Sequence, residues 1–168
     1  DLFPDFVQDN LIERPIVPSC EDFSGFEYLI GNHSDELTPW IPVLGLRDEC
    51  KWIIIPCCLF ELNGSKFAKK SPELGRYKTY CKFLIDFTTH ELGYENLIEQ
   101  ENLRIPSTKN ICIFTRSTQL PNIIDRKEFA RKLIAETPFV TRKSDREKTI
   151  EYFQKKRDRE AKHHQEEE

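Results

Sequence analysis

The densest group of reactive side chains is Asn32-His33-Ser34-Asp35-Glu36, which packs an amide, an imidazole, a hydroxyl and two carboxylates into five consecutive positions. A simple turn does not require that density. The plainer alternative is that Asn32 bends the chain while Ser34 to Glu36 cap the start of a helix. A second group, Pro56-Cys57-Cys58, follows an apolar run. As a metal site the cysteine pair is poor on sequence, because a closed zinc site needs four ligands and the other candidates, His163 and His164, stand far away on a polar tail. No paired base near the thiols in sequence supports a nucleophilic cysteine, so packing is the expected role and no metal is expected.

These groups need elements to position them. Asp1 to Ser24, with Pro4, Pro15 and Pro18, reads as mostly irregular, with a short strand at Ile16-Val17. Phe26 to Ile30 reads as a strand ending at Gly31-Asn32. Thr38 and Pro39 then supply an N-cap and a first-turn proline for a short helix through about Leu46. Loops leaving the carboxyl ends of parallel strands are where open α/β sheets hold ligands, and Asn32 to Glu36 has that position.

Trp52-Ile53-Ile54-Ile55, stopped by Pro56, suits a strand buried on both faces of a parallel sheet. Ser71-Pro72-Glu73 starts a helix with Leu74, Tyr77, Cys81, Leu84 and Thr88 on one face, closed by Gly93. Strands at about Glu95 to Ile105 and Asn110 to Arg116, joined by Pro106 to Lys109, should pair antiparallel. Asp125 with Glu128 and Ser144 with Glu147 resemble capping boxes, and a charged helix-forming run begins at Lys148.

The sequence Ile30-Gly31-Asn32-His33-Ser34-Asp35-Glu36-Leu37-Thr38-Pro39-Trp40-Ile41-Pro42-Val43 resembles the signature of the tRNA(Ser) uridine 2'-O-methyltransferase family. Ile55-Pro56-Cys57-Cys58-Leu59-Phe60 and Leu103-Arg104-Ile105-Pro106-Ser107-Thr108-Lys109 match further blocks in the same order, and the likeness covers roughly Phe26 to Ser117. The resemblance implies a Rossmann-like class I methyltransferase fold, of which this α/β chain holds strands four to seven, ending in the antiparallel hairpin. It also implies S-adenosylmethionine (SAM) as cofactor and serine tRNA as partner. Asn32 would line the methyl-transfer crevice, with Pro56 and Cys57 beside it, and His33, Asp35 and Glu36 would act as base or orienting groups. Arg104 and Lys109 could contact phosphate, the plain alternative being surface charge beside a hairpin.

One departure stands out against that family: no glycine-rich turn follows a first strand. The six glycines, Gly25, Gly31, Gly45, Gly64, Gly75 and Gly93, are too widely spaced to form one. A complete SAM pocket is not expected from these residues, and the lack of methionine suggests that residue 1 is not the natural start. The chain is then the catalytic-loop half of the enzyme, or a non-catalytic RNA-binding or interaction module derived from the fold. A third reading, an α/β domain whose polar loop is a helix cap, leaves the three ordered blocks unexplained.

At 168 residues, with 38% hydrophobic and 32% charged content, the chain suits one domain with a polar appendage. The expected division is an irregular segment 1–24, a methyltransferase half 25–118 and a basic then acidic helical tail 119–168. Arg126 to Lys162 carries 13 Lys and Arg against 7 Asp and Glu, although the net charge is -4. Such a stretch could follow a tRNA backbone, with Tyr152 and Phe153 as stacking surfaces, or be an ordinary solvated helix. No apolar run approaches the roughly 20 residues of a membrane span. A cytosolic protein with reduced thiols and neither membrane nor DNA partner is expected. The open edge of the half-sheet calls for cover by the missing half or another chain.

Overall fold

A computed structural model describes residues 12, 14–141, 147, 149, 150 and 152–157. Four strands, β1 (Tyr28–Asn32), β2 (Lys51–Ile55), β3 (Ile98–Asn102) and β4 (Ile111–Thr115), form one sheet in the order β1-β2-β4-β3. β1 runs parallel to β2, while β4 is antiparallel to both β2 and β3. The expected hairpin is therefore present, and the chain is a mixed α/β unit. The sheet is not parallel throughout, and β2 is not buried on both faces: Trp52 and Ile54 are buried, whereas Lys51, Ile53 and Ile55 are half-exposed. The strand buried at every position is β4.

β1 starts two residues later than expected and runs through Gly31 and Asn32. Gly31 belongs in the ladder because nothing larger fits: a Cβ there would lie 2.8 Å from Ser34 Oγ and 3.1 Å from Ile41 Cγ1. Ile16 and Val17 form no strand.

Helix α1 (Trp40–Asp48) buries every residue from Trp40 to Leu46. Pro42 is tolerated because first-turn amides lack intrahelical acceptors in any case. Thr38 does not cap the helix; its buried hydroxyl lies 3.0 Å from Ser34 Oγ. Helix α2 (Gly75–Asp86) starts later than Ser71, since Gly75 takes φ +71° and the Ser71 amide donates to Thr79 Oγ1. Tyr80, Cys81 and Leu84 are buried, but Leu74 points outward with 43% exposure. The helix widens into a π-turn, Phe87–Glu91, where Thr88 Oγ1 bonds back to the carbonyls of Leu84 and Ile85.

Helix α3 (Ile123–Glu136) begins after Asn122, which sits in the left-handed region, so Asp125 lies inside the first turn and forms no capping box. α3 packs on α1, with Ala130 fully buried and Arg126 donating to the Glu91 carbonyl across Gly93. The segment expected as a tail thus opens with a helix of the packed layer. Residues 152–157 are helical; Ser144, of the second expected capping box, lies outside the described residues.

α1 covers the sheet face bearing Leu29, Gly31, Trp52 and Ile54, and Tyr77 of α2 meets the same face by accepting from the Ile111 amide at 3.1 Å. The opposite face presents Tyr28 and Ile30, the latter 65% exposed, on edge strand β1. Among the described residues, no helix is long and apolar enough to cross a membrane.

Candidate functional site

Parallel pairing sets Asn32 beside Ile55, so the loops after β1 and β2 leave the sheet side by side. The His33 amide extends the ladder by donating to the Ile55 carbonyl at 3.3 Å. Because Ile54 pairs with Ile113 in antiparallel β4, the β3–β4 loop lies at this same end. The three sequence blocks, which lie between Ile30 and Lys109, therefore meet at one end of one sheet.

The first loop is under backbone strain. His33 (φ 53°) and Asp35 (φ 45°) both occupy the left-handed region, which costs a non-glycine residue roughly 1–2 kcal/mol. Local bonds hold it there: Leu37 N donates to Ser34 O at 2.8 Å and Thr38 N to Asp35 O at 3.2 Å, closing a short 3₁₀ turn, Asp35–Leu37. From the second loop, the Cys57 thiol donates to Asp35 Oδ1 at 3.3 Å.

The expected site residues divide by exposure. Asn32 and His33 stand exposed at the rim, Asp35 and Glu36 are half-buried, and Pro56 and Cys57 are buried beneath them. Arg104 is exposed and Lys109 half-buried on the β3–β4 loop, which leaves the sheet at the same end as the loops after β1 and β2. Much of the basic character of α3 is locally compensated: Lys127 pairs with Glu49, Arg131 with Glu128 and Lys132 with Glu136. Tyr152 and Phe153 are exposed and pack edge to face.

Sequence reasoning missed two features. Cys58 joins Cys57 and Asp35 in a cluster whose ligand atoms all lie within 4.8 Å of one another. Burial pushes the Cys58 thiol up to about 12, helped by hydrogen bonding to Asp35 and Cys57. Also missed was a groove of about 590 Å³ between α2 and the hairpin, lined by Tyr77, Lys78, Asn102, Thr108 and Asn110. The adjacent cysteine pair was the cluster's one sequence signal and the groove had none, since each is completed by residues from separate elements. All six cysteines are free thiols.

An α/β unit that gathers reactive side chains at the carboxyl ends of neighbouring parallel strands falls in the class of open-sheet ligand-binding folds. Comparison with known proteins finds relatives that share one name. The chain is 38% identical over 130 residues to a probable tRNA (uracil-O(2)-)-methyltransferase of Drosophila melanogaster, covering 76% of this chain and 24% of that protein. It is 37% identical over 120 residues to the probable enzyme of that name from Homo sapiens, covering 68% and 15%. It is 42% identical over 101 residues to the tRNA (uracil-O(2)-)-methyltransferase of Schizosaccharomyces pombe, covering 56% and 20%. These relatives match the family that the three blocks resemble. The chain spans a quarter or less of the length of each. No family model matches it, and no solved structure matches significantly.

Proposed function

We propose that the chain is the target-facing part of a SAM-dependent tRNA ribose 2'-O-methyltransferase, acting on a uridine of serine tRNA in the cytoplasm. The observation that carries this reading is the convergence of the three blocks at one sheet end. Strands β1, β2, β3 and β4 would be strands four to seven of a Rossmann-like class I sheet, in which 25–118 is the methyltransferase half and 119–168 an appended segment. The missing half, or another chain, would cover the edge of β1 and the exposed Tyr28 and Ile30.

SAM supplies the methyl group in this chemistry. Asn32, Pro56 and Cys57 would form at most one wall of its site, because among the described residues no closely spaced glycines follow a strand to receive it. The residues here do not fit the whole cofactor. What they can do is hold and deprotonate a ribose hydroxyl. His33 is the best placed base, its imidazole being exposed at the rim. Asp35, held by the Cys57 thiol, orients the loop, and Glu36 stands beside it. Arg104 and Lys109 would position a phosphate.

The test is methylation of serine tRNA by the protein that contains this chain. His33→Ala should lower kcat by about 10²–10⁴-fold with tRNA binding retained. Unchanged kcat in both His33→Ala and Asp35→Asn would remove the assigned roles. The second reading, a non-catalytic RNA-binding module, is favoured by the lack of a glycine-rich turn among the described residues. Calorimetry of this chain with SAM separates part of the question, since tight binding would contradict an incomplete pocket.

A further inference from the structure

The sheet end where the loops after β1 and β2 meet holds a group of ligands that sequence spacing conceals. Cys57 and Cys58 leave β2 side by side, and the strained turn after β1 brings the Asp35 carboxylate onto them from 22 residues away. All three ligand atoms lie within 4.8 Å of one another, and Cys57 Sγ is 3.3 Å from Asp35 Oδ1. One triangular face of a tetrahedral zinc site, with Zn–S near 2.3 Å and Zn–O near 2.1 Å, has edges of roughly 3.5–3.8 Å. The observed cluster needs only small side-chain adjustments to match it.

We infer that Asp35, Cys57 and Cys58 form a binding site for a single thiophilic divalent cation of the zinc type, with one coordination position left for a further ligand. The donor chemistry selects the ion, because two sulfurs and one carboxylate oxygen suit zinc and exclude the all-oxygen preference of magnesium or calcium. Three protein ligands with one open position is the composition of a reactive rather than a closed structural site. The thiols bind as thiolates, so each loses its proton to solvent on binding. The backbone holds the ligands near this arrangement, since Pro56 precedes the pair and a ladder hydrogen bond from His33 to Ile55 clamps the two loops at their roots.

Cobalt(II) added to the chelator-treated chain, reduced with a phosphine, tests it. One equivalent should produce the thiolate-to-cobalt charge-transfer absorption, and zinc should abolish it by displacement. Cys57→Ser and Cys58→Ser should lose the band and Asp35→Asn should weaken binding, while Cys20→Ser and the double variant His163→Ala, His164→Ala behave as wild type. In the unaltered chain, zinc should slow alkylation of Cys57 and Cys58 but not of the exposed Cys20. That arm decides the matter if the serine variants do not fold. Absence of a charge-transfer band, its persistence in both serine variants, or alkylation rates indifferent to zinc overturns the site.

Discussion

Two loops share one end of the sheet and are built on opposite principles. The loop after β1 is short of comfortable backbone: His33 and Asp35 take positive φ, and Ser34, Thr38 and Cys57 hold it with side-chain contacts. The loop between β3 and β4 uses ordinary turn chemistry. Leu103 N donates to Asn110 O at 2.8 Å, Asn110 Nδ2 to Leu103 O at 3.0 Å, and Lys109 N to Ser107 Oγ at 3.1 Å. Strain persists only where the surroundings over-determine it, and here it coincides with the densest reactive groups. The difference sets a strained loop of dense polar groups beside a relaxed one that carries Arg104 and Lys109.

The sharpest way to break the comparison is at the root of the first loop. Gly31→Ala would press a Cβ against Ser34, Ile41 and Ile54 and should cost about 1–3 kcal/mol in denaturant unfolding, as overpacking does. Unchanged stability would show that the loop relaxes freely and is not pinned.

Alkali is the next lever. Burial holds Cys58 at about 12, Cys81 at about 11 and Tyr77 at about 12, all above their ordinary values of 9.0 for thiols and 10.0 for tyrosine. The native state therefore keeps protons that the unfolded chain releases as pH rises past about 9, so stability should be full below that pH and decline from there towards 12. Thermal melts across this range should show the decline, and Cys58→Ser should make it shallower. A decline of the same slope in that variant would mean that Cys58 does not contribute.

Relieving strain should have a smaller effect on stability. In His33→Gly the released backbone cost of roughly 1–2 kcal/mol is partly offset by the greater flexibility of unfolded glycine, leaving a change between none and about 1 kcal/mol of stabilisation. tRNA methylation should nevertheless fall, because the imidazole is gone. Marked destabilisation would show that the His33 side chain holds the fold.

The smallest effects belong to the second loop. Arg104→Ala and Lys109→Ala should stay within about 0.5 kcal/mol of the parent stability. Each should lower the salt dependence of tRNA binding by about one counterion. An unaltered salt slope for both would remove the hairpin loop from the RNA interface.

Much of this arrangement is legible in the sequence. The apolar run Trp52 to Ile55, the hairpin around Pro106 to Lys109 and the polar block Asn32 to Glu36 each announce themselves over a few residues. Boundaries set by competing local bonds do not. Ser71 looks like a cap, yet its amide is taken by Thr79 and the helix waits for Gly75. Thr38 also looks like a cap, and its hydroxyl turns to Ser34 instead. The basic run looks like a free surface until α3 packs on α1 and its charges find Glu49, Glu128 and Glu136.

Residue order alone determined that this chain folds as an α/β unit, carries three ordered blocks that resemble one enzyme family and places a dense polar loop at the end of a strand. Apolar periodicity and turn-forming residues are local, and local signals survive in a linear string. Tertiary structure alone decided that β2 is alternately buried between a parallel and an antiparallel neighbour. It also decided that Asp35 meets Cys57 and Cys58. Both depend on which strands lie side by side, which is set by the packing of whole elements against one core rather than by any short run of residues.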